Sequence, residues 1–98
     1  MAIEVVIAGM GHRGRDWLKE ARASERFEVV AAVDVDRRAL DTVSDELEIP
    51  SERCFTDLSQ ALDQTRSKAV IVATPPDCHA STCETALLRG LAVMVEKP

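Results

Sequence analysis

Short apolar runs alternate with helix-like segments along the chain, and this alternation constrains the fold more than any other feature. The apolar runs are rich in β-branched residues and carry few charges, as strands buried on both faces of a parallel sheet do. The segments between them repeat apolar residues every three or four positions, which is the spacing of one helix face. The predicted strands are 3–8, 27–35, a minimal strand around Cys54 and Phe55, 68–76 and 91–98, and the predicted helices are 15–24, 36–47, 58–64 and 77–90.

Strands that alternate with helices form right-handed βαβ units around a parallel sheet. The sequence of 98 residues is long enough for one such domain, residues 1–98, and contains no repeat or linker. We therefore predict an α/β fold with a doubly wound parallel sheet whose five strands follow the order 3-2-1-4-5. In such a sheet the ligand lies where the strand order reverses, between strands 1 and 4. This topology places "AGMGHRG" and "ATPP" side by side at the carboxyl edge.

Residues that cap or end helices lie at the boundaries of the predicted elements. Asp36 and Asp57 each precede a helical pattern and are expected to cap it, and Asp77 is expected to cap the last helix. Gly90 follows that helix, at the position where a left-handed residue commonly ends one. The pair Pro75-Pro76 is expected to end strand 4, because neither a central strand nor a helix tolerates it.

The charge and the hydrophobic pattern exclude several classes of function. The formal net charge is −5 and no stretch joins Lys and Arg with aromatic residues, so we expect no nucleic acid partner. No apolar run reaches the roughly 18–20 residues of a membrane span, so we expect no membrane partner. The N-terminal "MAIEVVIAGM" carries Glu4 and no basic leader, which indicates a strand rather than a signal peptide.

The cysteines and histidines form no metal-binding pattern. The three cysteines give an odd count, no CxxC spacing occurs, and only two histidines are present. Unpaired thiols are typical of a reducing compartment, so we expect a cytoplasmic protein. The residues are Cys54, Cys78, Cys83, His12 and His79.

The first strand leads directly into "GMGHRG", a G-x-G-x-x-G pattern that opens a helix. Gly9 permits the tight turn, Gly11 lets the backbone approach a pyrophosphate, and Gly14 lets the helix pack closely on the strand. The helix N-terminus supplies N–H groups and partial positive charge for the phosphates. Arg13 is expected to add a charge-assisted contact, and His12 to contribute its backbone or surface rather than chemistry.

Asp34 ends the second strand, 20 positions after Gly14 (34 − 14). An acid at about this distance accepts hydrogen bonds from the hydroxyls of a ribose and repels a 2′-phosphate. The expected cofactor is therefore NAD, while Arg37 and Arg38 follow closely enough to bind a phosphate and leave NADP open. Two alternatives remain at this point. In one the glycines make only a tight turn and Asp34 caps a helix, and in the other the chain is a methyltransferase.

The second half of the chain combines several motifs of one family. "ATPPDCHASTCETALLRGLAVMVEKP" (73–98) places Thr74-Pro75 after strand 4 and Glu96-Lys97-Pro98 at the end of strand 5, with His79 17 positions before Glu96 (96 − 79). Together with the glycine turn and "AVDVD", this stretch closely resembles the Gfo/Idh/MocA family of oxidoreductases. The resemblance covers the whole chain.

That resemblance implies NAD(P)-dependent oxidation or reduction of a sugar, a polyol or a related hydroxyl compound. Thr74 and Pro75 would line the nicotinamide side, and His79 and Glu96 would contact the cofactor region. Lys97 would contact the cofactor as well and would be the catalytic residue. An ammonium group at the reacting hydroxyl stabilises developing negative charge and helps to transfer the proton.

The sequence departs from the family pattern at two places. Pro76 stands where Asn is usual, which removes a side chain able to hydrogen-bond the cofactor. The family's second domain, which holds the substrate, is not found within these 98 residues, so the chain alone is expected to bind dinucleotide without turnover. Strand 5 would then expose an apolar edge that favours self-association or a partner domain. The alternative is a nucleotide-binding or sensing module without catalysis.

Overall fold

Five parallel strands form one sheet in the order β3-β2-β1-β4-β5, which confirms the predicted doubly wound α/β fold. The structure is a computed structural model and describes residues 2–95. The strands are β1 Ile3–Ala8, β2 Phe27–Val33, β3 Cys54–Phe55, β4 Ala69–Val72 and β5 Ala92–Val95; the helices are α1 His12–Ala23, α2 Arg37–Glu46, α3 Leu58–Gln64 and α4 Pro76–Leu88, with a 3-10 turn at Ser51–Arg53.

Alternate residues of the central strands point to opposite faces of the sheet. Both faces carry apolar side chains, and helices cover both. Val5 and Ile7 of β1 belong to a core cluster that the apolar stripes of α1 and α2 complete. Val6 and Ala8 of the same strand belong to a second cluster, completed by α3 and α4. The helix residues buried in these clusters are Leu18 and Ala21, Leu40 and Val43, Ala61 and Leu62, and Ala86.

The carboxyl ends of the central strands are tied together by backbone hydrogen bonds beyond the regular ladder. Gly9 N–H donates to the carbonyl oxygen of Val33 at 2.7 Å, and Ala73 N–H donates to that of Ala8 at 2.8 Å. Asp34 N–H donates to the carbonyl oxygen of Phe55 at 3.1 Å. The segments that follow β1, β2 and β4 therefore leave the sheet at one edge.

Two of the three expected N-caps are confirmed. An Asp36 side-chain oxygen accepts from Arg38 N–H at 2.9 Å, and one of Asp57 accepts from Gln60 N–H at 3.2 Å. The prediction for Asp77 is wrong, because α4 begins one residue earlier and Asp77 lies inside its first turn.

The prolines explain this difference, since Pro75 is the N-cap of α4 and Pro76 its first residue. A proline at that position loses no helical hydrogen bond and has a suitable fixed φ. The expectation that no helix tolerates Pro76 is therefore wrong, and β4 already ends at Val72. Gly90 has a φ of 72° after the end of α4, as predicted.

Helix α1 and strand β5 also differ from the prediction. Helix α1 begins at His12 rather than at residue 15, so Gly14 lies within its first turn. Strand β5 is exposed rather than buried: Met94 is 37% and Val95 49% exposed. Its pairing partner is β4, and no other strand of residues 2–95 lies along its far edge. Residues 96–98 of the predicted strand lie outside the described residues.

All three cysteines are free thiols. Cys54 is buried at the start of β3, and burial raises the pKa of its thiol, which keeps the sulfur protonated and unreactive. Among residues 2–95, no three or more His, Cys, Asp or Glu side chains come together to hold a metal ion. In the same range, no helix has the length and apolar character that crossing a membrane requires.

Candidate dinucleotide-binding site

A groove of about 260 Å³ opens at the carboxyl edge of the sheet, where the strand order reverses. Four of the residues predicted to bind the cofactor line it: Gly9, Asp34, Thr74 and Pro75. They come from the ends of β1, β2 and β4, which are far apart in sequence. The sheet topology therefore brings the glycine turn, the acid and the "ATPP" segment together.

The glycine turn packs so tightly that two of its positions accept no side chain. Gly9 has a φ of 101°, and a Cβ on it would lie 2.6 Å from the carbonyl carbon of Ala73. A Cβ on Gly14 would overlap the carbonyl oxygen of Gly9. These contacts seat the first turn of α1 directly against the ends of β1 and β4.

Gly11 is different, because a Cβ there would meet no protein atom within 4 Å. It is the N-cap of α1, and no side chain caps this helix. The first N–H groups of a helix have no partner inside it and carry partial positive charge. At Gly11 the chain thus offers open space in front of a helix N-terminus, which suits a phosphate.

Asp34 is held in place by the two segments that flank the groove. One of its oxygens, Oδ2, accepts from Met10 N–H at 2.7 Å, within the glycine turn. The other, Oδ1, accepts from Asp36 N–H at 2.8 Å. An ionised carboxylate has about four lone-pair sites, so each oxygen keeps capacity for one further donor such as a ribose hydroxyl.

Thr74 contributes a buried hydroxyl that has no hydrogen-bond partner in the structure. Its backbone nitrogen lies 2.8 Å from the point that a Cβ on Gly9 would occupy, which places the residue against the glycine turn. Leaving such a group without a partner costs about 1–3 kcal/mol. A ligand in the groove would supply the missing partner, so the residues present fit a bound dinucleotide.

Comparison with known proteins agrees with this geometry. Residues 3–98 match the GFO_IDH_MocA family, which is described as an oxidoreductase family with an NAD-binding Rossmann fold. The chain belongs to the Gfo/Idh/MocA oxidoreductases. Within that family it is the NAD-binding domain, since it spans about 28% of the length of the relatives it matches.

Three relatives illustrate the match. An uncharacterized protein of Sinorhizobium fredii, y4oX, is 33% identical over 100% of this chain and 28% of its own length. Inositol 2-dehydrogenase of an Arthrobacter species is 35% identical over 98% of this chain and 28% of its own length. The crystal structure of scyllo-inositol dehydrogenase from Lactobacillus casei with bound NAD(H) and scyllo-inositol has a TM-score of 0.87 at 26% identity, over 100% of this chain and 28% of that one.

Of the other residues predicted to bind the cofactor, His12, Arg13 and His79 are not among those that line the groove. His12 is exposed, with Nε2 3.5 Å from an oxygen of Asp16, and Arg13 Nη1 lies 3.7 Å from the same oxygen. His79 is half-buried on α4 and is absent from the described groove wall. Glu96 and Lys97 lie outside the described residues.

One wall of the groove, which α4 provides, was not predicted from the sequence. Its small polar residues recur at intervals of three and four, the spacing of one helix face, and this spacing is the signal that could have found them. Val35 and the segment 56–58, which follow β2 and β3, complete the lining. The α4 residues are Cys78, Ser81, Thr82 and Thr85.

Proposed function

We propose that this chain is the cofactor-binding part of an enzyme that transfers hydride between NAD and a hydroxyl or carbonyl group of a polyol or sugar. The observation that carries the proposal is the convergence of the Gly9 turn, the fixed Asp34 carboxylate and the unpartnered Thr74 hydroxyl at one crevice. Two relatives named inositol 2-dehydrogenase support a polyol as the class of substrate. Residues 1–98 form one domain in this proposal, and a second domain supplies the substrate pocket.

The chain's own residues divide the work of holding NAD. Asp34 accepts from the ribose hydroxyls, and the N-terminus of α1 binds the pyrophosphate, with the Arg13 guanidinium nearby. Thr74 and Pro75 line the nicotinamide end of the cofactor. When bound, NAD supplies the carbon that accepts or returns the hydride.

In this proposal Lys97 is the acid–base residue for the proton of the substrate hydroxyl. Its ammonium group stabilises negative charge on the substrate oxygen and exchanges a proton with it, while Glu96 and His79 adjust the cofactor region. Hydride transfer also requires the substrate carbon to be held about 3–3.5 Å from its acceptor and shielded from water. The second domain provides that enclosure.

The first prediction separates binding from turnover in the 98-residue chain. Calorimetric titration is expected to give saturable binding of NADH and none of S-adenosylmethionine, because the pyrophosphate site is built from residues 9–14. Incubation with NAD and a panel of inositols and sugars is expected to give no steady rise in NADH absorbance. Binding of S-adenosylmethionine alone would overturn the proposed function. Steady turnover that disappears in Lys97→Ala would instead make the chain a complete enzyme.

The exposed edge of β5 is the surface that we propose for a partner domain or a second copy of the chain. Met94 and Val95 are 37% and 49% exposed there, and the neighbouring α4 carries Leu87 and Leu88, which are also exposed. An unpaired strand edge with apolar side chains favours further strand pairing. A reducing cytosol is the compartment that we propose from the three free thiols.

A second prediction tests self-association through this edge. In sedimentation velocity, the unchanged chain is expected to show a concentration-dependent rise in sedimentation coefficient, and the Met94→Lys/Val95→Lys variant to stay monomeric. Ile3→Lys is the matched control, because Ile3 is similarly exposed but lies on β1. If the unchanged chain stays monomeric, or if the Ile3→Lys control also becomes monomeric, β5 is not the contact surface.

A further inference from the structure

The α4 wall of the groove differs in hydrogen-bonding character from the glycine turn, where the helix N-terminus offers N–H donors. Three of its hydroxyls donate back to their own helix. Thr82 Oγ1 donates to the Cys78 carbonyl at 2.8 Å, Thr85 Oγ1 to the Ser81 carbonyl at 3.0 Å, and Ser81 Oγ to the Cys78 carbonyl at 3.2 Å. A hydroxyl has one hydrogen to donate and two lone pairs. With their hydrogens directed to the helix in this way, these three groups present lone pairs toward a ligand.

The N-cap of α3 adds a further acceptor to the lining of the groove. Asp57 lines the groove at the end of β3, and its Oδ2 already accepts from Gln60 N–H. An ionised carboxylate has no hydrogen to donate. Two other hydroxyls line the groove and do not donate to the protein. One belongs to Thr74, against the glycine turn, and the other to Thr56, which is exposed to water. Away from the glycine turn, the polar lining is thus dominated by acceptors.

The position of this wall relative to Asp34 identifies what it faces. Asp34 lies at the same groove, and the nucleobase of a dinucleotide is joined to the ribose that this acid is proposed to hold. Val35 follows Asp34 directly, is 89% exposed and lines the groove together with Leu58. These apolar side chains suit the flat faces of a purine, and the acceptors of α4 remain for its edge.

We infer that the α4 wall selects the nucleobase by its exocyclic amino group, so that the site distinguishes adenine from hypoxanthine. This inference rests on the proposed function, because it assumes that a dinucleotide occupies the groove. The 6-amino group of adenine donates two hydrogens, which acceptor groups can receive. Hypoxanthine carries an oxygen on the same ring carbon, C6. Placing the lone pairs of that oxygen against those of Thr82 and Thr85 is unfavourable. A site that hydrogen-bonds one edge rejects an analogue with the opposite polarity.

Calorimetric titration with NAD and with nicotinamide hypoxanthine dinucleotide tests the inference. The two ligands share the pyrophosphate, both riboses and the nicotinamide, and differ only at the base. We expect the unchanged chain to bind NAD about tenfold more tightly, the effect of one net hydrogen bond. In Thr82→Val/Thr85→Val, which keeps the side-chain shapes and removes the acceptors, the two affinities are expected to lie within about twofold.

Thr42→Val is the matched control for the double variant. Thr42 on α2 makes the same kind of helical bond, from Oγ1 to the Arg38 carbonyl at 3.0 Å, but does not line the groove. Its preference for NAD is expected to equal that of the unchanged chain. Equal affinity of the unchanged chain for both dinucleotides overturns the inference and leaves the proposed function intact, as does a preference that survives in the double variant. If neither dinucleotide binds, the proposed function itself is wrong.

Discussion

The Gly14→Ala variant is expected to lose about 4 kcal/mol of folding free energy, which places it among the most damaging single substitutions. The added Cβ would overlap the carbonyl oxygen of Gly9, which is backbone and cannot rotate away. Helix α1 must therefore lift off the end of β1, which exposes the cluster around Leu18 and Ala21. For a domain of this size the loss corresponds to a melting temperature lower by roughly 20 °C.

Gly11→Ala provides the comparison, because its Cβ meets nothing within 4 Å. Its melting temperature is expected to stay within about 5 °C of the unchanged chain, which corresponds to a loss of no more than 1 kcal/mol. The methyl group nevertheless occupies the space in front of the helix N-terminus, so NADH affinity is expected to fall at least about tenfold. Thermal melting by circular dichroism and calorimetry measure both effects. If Gly14→Ala melts like the unchanged chain, the close packing of α1 on β1 is not what holds this turn.

The fold was predictable because its determinants are local and repeated. Each apolar run has the length of a strand, each intervening segment has a helix period, and the handedness rule then leaves few arrangements. The glycine turn and Asp34 were predictable for a related reason. Backbone conformation and ribose binding restrict the residue types at those positions, so the spacing of 20 residues carries information.

The features that the sequence did not reveal depend on tertiary contacts. Whether Asp77 caps a helix depends on where the chain turns at Pro75 and Pro76. The bond between Asp34 and Met10 N–H requires two strand ends to meet. The acceptor wall of α4 was missed because Ser and Thr on a helix usually face solvent, and only the packing of α4 beside the groove gives them a ligand to face.

Asp34→Asn is expected to weaken NAD binding about 100-fold, the second large effect. The carboxylate is proposed to accept from the ribose hydroxyls, and hydrogen bonds to a charged group contribute about 1.5–3 kcal/mol each. Asparagine keeps the shape but has one acceptor oxygen in place of two. Because Met10 N–H and Asp36 N–H bond separate oxygens of Asp34, the NH₂ group of asparagine must face one of these two donors. One of these two hydrogen bonds is then lost, and we expect the free energy of unfolding to fall by about 1–3 kcal/mol.

The variant also tests the cofactor preference. The negative charge of Asp34 opposes a 2′-phosphate, so its removal is expected to weaken NADP binding less than NAD binding and to move the ratio toward NADP. Arg37 reinforces this expectation. Its Nε lies 3.8 Å from an oxygen of Asp41 on its own helix, an exposed pair that costs little to separate when a phosphate arrives.

Asp36→Asn is the control that separates charge from position. It removes one carboxylate two residues from Asp34, and asparagine caps a helix about as well as aspartate does. Calorimetry with NAD and NADP, at a temperature where all three chains are folded, is expected to leave this control within about twofold of the unchanged chain. An Asp34→Asn variant with unaltered NAD affinity would show that Asp34 only braces the glycine turn. If Asp36→Asn shifts the preference equally, the selectivity comes from the overall negative charge at the end of β2 rather than from contact with the ribose.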